Sequence, residues 1–282
     1  MSNHIFINRR IESFNKKIKV GSDKSISIRS ILLASQAVGT SKISNLLESE
    51  DVLNTLKAIK KLGINYKKKQ KIYYIEGFGL NSFNIKKNTT INAGNSGTLA
   101  RLILGLLVKS KFVIKLIGDK SLSKRDFSRV IKPLNKFGVN FYPRFKNNLP
   151  LSIKGTDFLR PIRFEEKKGS AQVKSLIIFA AMNTPGTTII RAKKSRDHTE
   201  KFLKYLKTPI KTIKKRNHDI IEISETKSIN PIDYKIPGDI SSAAFFIVLT
   251  VLSENSQLLI KNVLTNPTRT GIIKILKKMG AK

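Results

Sequence analysis

Cysteine is missing from all 282 residues. Its absence excludes disulfides, zinc–thiolate sites and a cysteine nucleophile. Long hydrophobic runs are scarce as well, because the most apolar segment, residues 243–252, is about half of the ~20 residues that a membrane-spanning helix needs. The N-terminal residues show no long apolar stretch after their basic residues, so a targeting segment is not indicated. We expect a soluble, cytoplasmic protein that makes no use of a membrane.

Acidic residues are few, since 19 Asp and Glu stand against 54 Lys and Arg and give a formal charge of +35. Such a charge by itself suggests a polyanionic partner such as nucleic acid. The lysines are scattered through every segment, however, and the abundance of Lys, Ile and Asn fits AT-rich coding bias. The sequence shows neither a basic arm nor an aromatic platform for single strands. We expect no specific nucleic-acid partner and keep a basic nucleic-acid-binding protein as an alternative.

A repeat with a period of about 70 residues organises the chain. In each of four segments a small or polar cluster passes into an apolar helix. These segments are GSDKSISIRSILLAS from Gly21, NSGTLARLILGLL from Asn95, GSAQVKSLIIFAAM from Gly169 and GDISSAAFFIVLTVL from Gly238. Because each helix is apolar on nearly all faces, we expect all four to be buried on all sides.

A β-branched strand and then a second, amphipathic helix follow each of these helices. The strands are SKISNL at 41, FVIKLIG at 112, TTIIRA at 187 and QLLIKNV at 257. The second helices are EDVLNTLKAIKKLG, DFSRVIKPLNKFG, DHTEKFLKYLK and PTRTGIIKILKKMG, three of which end at glycine. Two more strands follow in the first three units, so a complete unit is β-α-β-α-β-β, while the fourth stops after its second helix.

The helix starts carry the residues that suggest chemistry. Any single start is most simply explained by serine capping, with Ser25, Ser96, Ser170 and Ser241 as the candidates. Four parallel starts, however, would aim their positive ends at one region and bind anions there. Basic residues accompany the starts, and in an apolar helix they are costly unless they meet an anion. They are Lys24, Arg29, Arg101 and Lys174.

Seven motifs in chain order resemble the EPSP synthase (3-phosphoshikimate 1-carboxyvinyltransferase) family. They are VGSDKSISIRS, NAGNSGTLAR, GDKSLSKRDFSRVIKPL, GSAQVKS, SRDHTEKFL, IPGDISSAAFF and NPTRTGIIKILKKMGA, and the pattern is similar to the bacterial class II branch. The resemblance implies an α/β (α+β) fold of repeated units around parallel buried helices, of which this chain would hold about four of six. Residues 21–236 would form one complete domain, and residues 1–20 plus 237–282 part of a second.

The resemblance also implies an activity. The family transfers the enolpyruvyl group of phosphoenolpyruvate to the 5-hydroxyl of shikimate 3-phosphate, with release of phosphate, on the way to chorismate and the aromatic amino acids. We expect these two small-molecule substrates as partners, no cofactor, and a monomer. The histidines at 4, 198 and 218 stand in unrelated contexts, so we expect no metal site. Because the chain ends inside a repeat, we expect a truncated enzyme with little activity alone.

Carried over residue by residue, the resemblance assigns two sets of ligands. Shikimate 3-phosphate would be bound by Lys24, Ser25, Arg29, Ser170, Ala171, Gln172, Ser195 and Arg196. Phosphoenolpyruvate would be bound by Lys24, Asn95, Gly97, Arg101, Arg125 and Gln172. The proton-transfer residue stays unknown, with Lys24 as the nearest candidate.

Other interpretations and two departures stay open. Arg101 is also explained as a brace between helix and loop, Ser195 as the cap of the helix near Asp197, and His198 as a packing residue. Gly21-Ser22 replaces the family's Pro-Gly, which predicts a looser loop, and Asp126 places a carboxylate beside Arg125 where proline is normal. A sibling alternative is UDP-N-acetylglucosamine enolpyruvyl transferase. That enzyme commonly uses a cysteine in its donor loop, whereas SRDHTE and SAQVKS indicate shikimate phosphate.

Overall fold

The structure is a computed structural model that describes residues 12–143 and 146–281. In chain order its strands are β1 (Asn15–Ile18), β2 (Val38–Ser44), β3 (Asn65–Lys69), β4 (Ile72–Phe78), β5 (Thr90–Asn92), β6 (Ile114–Ile117), β7 (Asn140–Tyr142), β8 (Leu151–Lys154), β9 (Arg163–Glu166), β10 (Thr187–Lys193), β11 (Ile210–Lys214), β12 (His218–Ser224), β13 (Asp233–Lys235) and β14 (Gln257–Ile260). Its helices are α1 (Lys24–Ala34), α2 (Glu50–Lys61), α3 (Gly97–Leu106), α4 (Lys120–Ser123), α5 (Ser128–Phe137), α6 (Ala171–Ala181), α7 (His198–Tyr205), α8 (Ile240–Leu252) and α9 (Gly271–Lys278).

Two compact units make up the chain. The larger unit is Lys24–Ile236, and the smaller unit combines Met1–Asp23 with Pro237–Lys282. Of the smaller unit, residues 12–23 and 237–281 are described.

The larger unit contains three four-stranded sheets, in the orders β13-β2-β4-β3, β5-β6-β8-β7 and β9-β10-β12-β11. In each sheet the first two strands are parallel and the remaining pairs are antiparallel. A parallel pair needs a crossover connection, which the buried helix supplies in the second and third sheets. The first sheet takes its parallel strand, β13, from the far end of the unit. These sheets confirm the predicted mixed α/β class and the strand order of the repeat.

Helices α1, α3 and α6 form the core of the larger unit, and their apolar side chains are buried on all faces, as predicted. Gly105 shows how closely α3 and α6 pack. A Cβ atom built on Gly105 would lie 2.4 Å from the carbonyl oxygen of Leu176 in α6. A side chain there would push the two helices apart, so the glycine permits their close approach.

Helix α8, in the smaller unit, departs from the prediction of complete burial. Only Ile240 and Ala243 are buried, while Phe245 is 80% exposed and Leu252 is 78% exposed. Among the described residues of its unit, α8 packs against β14, which pairs with β1 in a two-stranded parallel sheet. A two-stranded sheet covers one face of a helix, so the opposite face of α8 stays in contact with solvent.

The second helices agree with the prediction in place and type. Gly63, Gly138 and Gly280 follow α2, α5 and α9 with φ angles of 87°, 103° and 95°, which confirms the predicted glycine ends. Helix α9 begins at Gly271, later than expected, because residues 267–270 form turns in which Asn266 accepts a hydrogen bond from the Thr268 N–H. The short helix α4 was not predicted. Among the described residues, no helix combines the length and apolarity needed to cross a membrane.

Candidate functional site

A cavity of about 430 Å³ opens in the larger unit at the starts of α1 and α6. Its lining residues are Ser25, Arg29, Gly169, Ser170, Ala171, Gln172, Ser195 and Arg196. Seven of the eight residues assigned to shikimate 3-phosphate are therefore brought together, and Lys24 is the exception. The lining combines two guanidinium groups with a helix N-terminus, a chemistry suited to anions.

The start of α6 is capped as the sequence predicts. Ser170 is the N-cap, and its Oγ accepts a hydrogen bond of 3.3 Å from the Val173 N–H. Ala171 and Gln172 occupy the first two helical positions and both line the cavity. In the part of the chain that the structure describes, no protein group accepts from either backbone N–H. Those two donors are the ones that the start of the helix presents to a ligand.

Arg29 is only 2% exposed and is held from several sides. Its Nε donates to Thr199 Oγ1 at 2.8 Å, and its Nη2 donates to Ser175 Oγ at 3.0 Å. Its Nη1 donates to the carbonyl oxygen and the Oγ of Ser25, at 3.0 and 2.7 Å. The guanidinium is therefore a fixed part of the cavity wall, and it orients the Ser25 hydroxyl.

Lys174, the cation one turn into α6, meets an anion from the protein itself. Its Nζ lies 2.6 Å from Glu200 Oε1, and both side chains are buried. Burial raises the pKa of Glu200, while the ammonium of Lys174 acts in the opposite direction. Lys174 thus ties α6 to α7 and does not line the cavity.

Lys24 reaches away from the other predicted ligands. Its Nζ forms an ion pair of 2.9 Å with Asp51 of α2, and its side chain is 50% exposed. The family resemblance assigns Lys24 and Arg29 to the same substrate, yet Arg29 lines the cavity and Lys24 does not. Asp51 was not predicted as a partner, because nothing in the local sequence marks a residue of α2 as the partner of a lysine at the start of α1.

The loop before α3 forms a second cationic cluster, made of Gly97, Arg101 and Arg125. Ser96 caps the helix by accepting a 3.2 Å hydrogen bond from the Leu99 N–H. A Cβ on Gly97 would lie 2.7 Å from Arg101 Nη1 and 2.9 Å from Arg125 Nη1. The glycine therefore leaves open the point where the two guanidinium groups meet. Burial, followed by the charge of Arg125, lowers the pKa of Arg101. An anion beside the two guanidinium groups would offset the repulsion between them.

Side-chain hydrogen bonds join this cluster to the cavity. Arg101 Nη1 donates to the Gly97 carbonyl oxygen at 3.1 Å and to Gln172 Oε1 at 2.9 Å. Gln172 Nε2 donates to Thr98 Oγ1 at 3.0 Å. Arg101 thus acts as a brace, the alternative left open above, and connects the start of α3 with the start of α6.

Asn95 and Asp119 hold Arg125 from its exposed side. Arg125 Nη2 donates to Asn95 Oδ1 at 3.2 Å, and Asn95 Nδ2 donates to Asp119 Oδ2 at 2.6 Å. Asp126, the suspected competitor, instead accepts hydrogen bonds from the backbone N–H and the hydroxyl of Ser128, which lower its pKa. Its carboxylate is thus engaged at the start of α5.

Ser195 lies in the cavity wall with its Oγ buried, and no described residue is its hydrogen-bond partner. The N-cap of α7 is Asp197, so the interpretation of Ser195 as that cap is wrong. His198 is the first residue of α7 and is 6% exposed, which agrees with the expected packing role.

The fourth helix start belongs to the smaller unit, and Ser241 is not its cap. Asp239 is the N-cap of α8 and accepts from the Ser241 N–H at 2.8 Å. Arg269 donates to Asp239 and to Ser241 Oγ, at 3.0 and 2.6 Å. The segment around Gly21 is tied to this start by hydrogen bonds of 2.8 Å from the Asp23 N–H to the Pro237 carbonyl and from the Asp239 N–H to the Gly21 carbonyl. The expected loosening of the Gly21-Ser22 loop is therefore not seen.

Comparison with known proteins agrees with these features. The sequence model of the family described as EPSP synthase (3-phosphoshikimate 1-carboxyvinyltransferase) matches residues 9–282. The chain belongs to the EPSP synthase family. The predicted resemblance is thereby confirmed, and the family match favours neither the UDP-N-acetylglucosamine enolpyruvyl transferase nor the nucleic-acid-binding alternative.

Individual relatives share this family. The chain is 42% identical over 273 residues to a 3-phosphoshikimate 1-carboxyvinyltransferase of Petrotoga mobilis, covering 96% of this chain and 62% of the relative. It is 42% identical over 280 residues to that of Caldicellulosiruptor saccharolyticus, covering 98% and 64%. A solved EPSP synthase of Acinetobacter baumannii superposes with a TM-score of 0.86 at 36% identity, covering 95% of this chain and 60% of that chain. The chain thus spans 61–64% of the length of the curated relatives it matches.

Proposed function

We propose that this chain binds the substrates of an enzyme that transfers the enolpyruvyl group of phosphoenolpyruvate to the 5-hydroxyl of shikimate 3-phosphate, with release of phosphate. The observation that carries the proposal is the cavity of about 430 Å³, whose lining holds two arginines and no acidic residue among the described ones. Both substrates are multiply anionic, so a cavity of this charge suits them.

Shikimate 3-phosphate occupies the cavity in this proposal. Its phosphate accepts hydrogen bonds from the backbone N–H groups of Ala171 and Gln172 and from the buried hydroxyl of Ser195. Arg196 adds a charge at the exposed rim, and Ser170 adds its hydroxyl. The ring hydroxyls contact Ser25, which Arg29 orients through two hydrogen bonds of 3.0 and 2.7 Å.

Phosphoenolpyruvate binds at the second cluster, where Gly97 leaves room beside the guanidinium groups of Arg101 and Arg125. Guanidinium forks match carboxylate and phosphate groups, and Asn95 keeps Arg125 in place. Gln172 lies between the two substrates because it lines the cavity and bonds Arg101 at 2.9 Å. Lys24 contacts both substrates once its ion pair with Asp51 is broken. Breaking this pair costs little free energy, because an exposed ion pair contributes about 0–1 kcal/mol.

During the proposed reaction, negative charge develops close to the hydrogen-bond donors described above. The 5-hydroxyl oxygen adds to the phosphate-bearing carbon of phosphoenolpyruvate and gives up its proton, while the methylene carbon takes a proton and becomes a methyl group. The tetrahedral intermediate then loses phosphate together with a proton from that methyl group, which restores the double bond. The guanidinium groups of Arg101 and Arg125, already in place beside phosphoenolpyruvate, stabilise the charge that develops on its leaving phosphate. We assign no described residue to the proton transfer, and Lys24 stays the nearest candidate.

The organisation of the chain is part of the same proposal. Residues 21–236 form one complete domain, and residues 1–20 plus 237–282 contribute to a second. The parallel pairing of β1 with β14 supports the assignment of the N-terminal strand to the second domain. The enzyme acts in the cytoplasm as a monomer. Light scattering of the purified chain measures its molar mass and tests the monomeric state.

Calorimetric titration of the 282-residue chain tests the proposal. Shikimate 3-phosphate should bind at least about tenfold more tightly than shikimate, because the phosphate makes charge-assisted hydrogen bonds. Arg196→Ala should weaken binding, whereas Arg191→Ala, which removes a nearby exposed arginine outside the cavity lining, should not. Equal losses in the two variants, or equal binding of both ligands, would refute the assignment of the cavity. UDP-N-acetylglucosamine in the same titration tests the sibling acceptor.

A further inference from the structure

Glu166 is the last residue of β9, four positions before the cavity-lining Ser170, and it has no role in the function proposed above. Its side chain is 4% exposed, although the neighbouring Glu165 is half-exposed. Successive residues of a strand point to opposite faces, which explains the difference. Glu165 pairs at the surface with Lys167 and Arg191, at 3.4 and 3.9 Å. Two adjacent carboxylates of equal charge thus have opposite surroundings.

The Glu166 carboxylate binds both ends of the turn that leads into α6. Its Oε1 accepts from the Lys168 N–H at 3.2 Å, and its Oε2 accepts from the Ser170 N–H at 2.9 Å. Gly169, between these two donors, has a φ angle of +70°, a conformation that favours glycine. The carboxylate therefore closes a tight turn over residues 167–170.

Arg129 of α5 supplies the countercharge. Its Nη2 donates to Glu166 Oε1 at 3.1 Å, and its own side chain is 41% exposed. A buried carboxylate behind an anion site would repel the ligand, so this pairing offsets the negative charge. It also anchors the turn to a helix of the neighbouring repeat.

This arrangement decides which N–H groups the start of α6 presents to the cavity. Glu166 occupies the N–H of Ser170, and the hydroxyl of Ser170 occupies the N–H of Val173. The N–H groups of Ala171 and Gln172 stand between these two, and both residues line the cavity. Without the carboxylate, the turn and the cap would lose the contact that fixes their position.

We infer that Glu166 is a positioning residue, which holds the 167–170 turn so that the start of α6 receives the phosphate of shikimate 3-phosphate. The inference rests on the proposed function of the cavity. A role through charge alone predicts the opposite effect, because removal of a negative charge would tighten anion binding. The sign of the change in affinity therefore separates positioning from simple electrostatics.

The test compares Glu166→Gln with Glu165→Gln in the 282-residue chain. Each variant removes one negative charge, at adjacent positions. Calorimetry with shikimate 3-phosphate should show affinity falling about tenfold in Glu166→Gln, the size expected for a lost charge-assisted contact, and changing less than about twofold in Glu165→Gln. Unchanged or tighter binding by a folded Glu166→Gln chain would overturn the inference.

Amide hydrogen exchange measured by NMR adds a readout that needs no ligand. In Glu166→Gln the Lys168 and Ser170 amides should exchange at least about tenfold faster than in the wild type, because their acceptor is altered. Unchanged rates would overturn the positioning role. If the wild-type chain does not bind shikimate 3-phosphate, the proposed function and the ligand part of the inference fail, while the exchange rates still decide whether Glu166 holds the turn.

A second variant covers the case in which Glu166→Gln does not fold. Arg129→Gln removes the half-exposed partner and leaves the carboxylate in place. The inference predicts faster exchange at Ser170 and weaker binding in this variant also, with smaller changes than those in Glu166→Gln. Wild-type values for both quantities would contradict the anchoring of the turn through Arg129.

Discussion

Helix α6 in the larger unit and helix α8 in the smaller unit have similar sequences and different surroundings. Both begin at a polar N-cap, carry a few polar residues in the first turns and continue as an apolar run. Every residue of α6 from Val173 to Ala181 is buried, whereas in α8 only Ile240 and Ala243 are. An apolar sequence therefore predicts that a helix is buried, but the extent of its burial depends on the elements that pack around it.

The two helix starts differ in the same way. At α6 the nearby cations are engaged by side chains of α7, with Arg29 bonded to Thr199 and Lys174 paired with Glu200. At α8 the nearest arginine, Arg269, is bonded to the capping residue Asp239 itself. The predictions below test this contrast by unfolding the chain in urea, with the largest expected effect first.

Removal of the buried cation should cost the most. Lys174→Met leaves the Glu200 carboxylate buried without a countercharge, so we expect a loss of about 3–5 kcal/mol in the free energy of unfolding. Lys201→Met is the control, because Lys201 is 51% exposed and lies 3.6 Å from Asp197, so water replaces much of the lost contact. A loss no larger than that of the control would show that the buried pair does not hold α6 against α7.

Truncation of one apolar side chain on each helix tests burial directly. Ile177→Ala, at a fully buried position of α6, should destabilise the chain by about 2–5 kcal/mol. Phe245→Ala, at the 80% exposed position of α8, should change stability by less than about 0.5 kcal/mol. Equal losses would mean that the exposed face of α8 is covered in solution.

Glycine substitutions test how tightly each unit is packed. Gly105→Ala brings a methyl group to 2.4 Å from the Leu176 carbonyl oxygen, and overpacking of this kind costs about 1–3 kcal/mol. In α9, a Cβ atom built on Gly271 would meet no atom within 4 Å beyond its chain neighbours and the backbone of its own helix, so Gly271→Ala should cost nothing. A neutral Gly105→Ala variant would contradict the close approach of α3 and α6.

Helix caps give the smallest expected difference. Ser96→Ala removes the hydroxyl that accepts from the Leu99 N–H and should cost about 1 kcal/mol. Thr270 is the N-cap of α9 but makes no side-chain capping bond, so Thr270→Ala should be close to neutral. Indistinguishable variants would show that the capping bond of α3 contributes no measurable stability.

The local features of the fold could be predicted from the sequence. The caps at Ser96 and Ser170 depend on residues within three positions, and the glycine ends of α2 and α5 depend on one residue each. The exposure of α8 could not be predicted, because its apolar residues do not show how many neighbouring elements surround it.

In the candidate site too, local features could be predicted from the sequence and long-range contacts could not. Motif resemblance identified seven of the residues that line the cavity. The contacts that hold them join distant parts of the chain, as in the bond from Arg29 to Thr199, 170 positions apart, and the ion pair of Lys24 with Asp51. Glu166 acts within four positions of Ser170, yet its burial is a property of the sheet and is not visible in EEKKGS.

The central claim is that the helix starts of the larger unit bind the phosphate of shikimate 3-phosphate. A titration of the ¹⁵N-labelled 282-residue chain with this ligand, followed by NMR, tests the claim most directly. We predict that the amide signals of Ser25, Ser170, Ala171, Gln172, Ser195 and Arg196 shift with one common dissociation constant, while those of α8 from Val248 to Leu252 stay in place. Unchanged signals at those six residues under saturating ligand, or shifts confined to other residues, would contradict it.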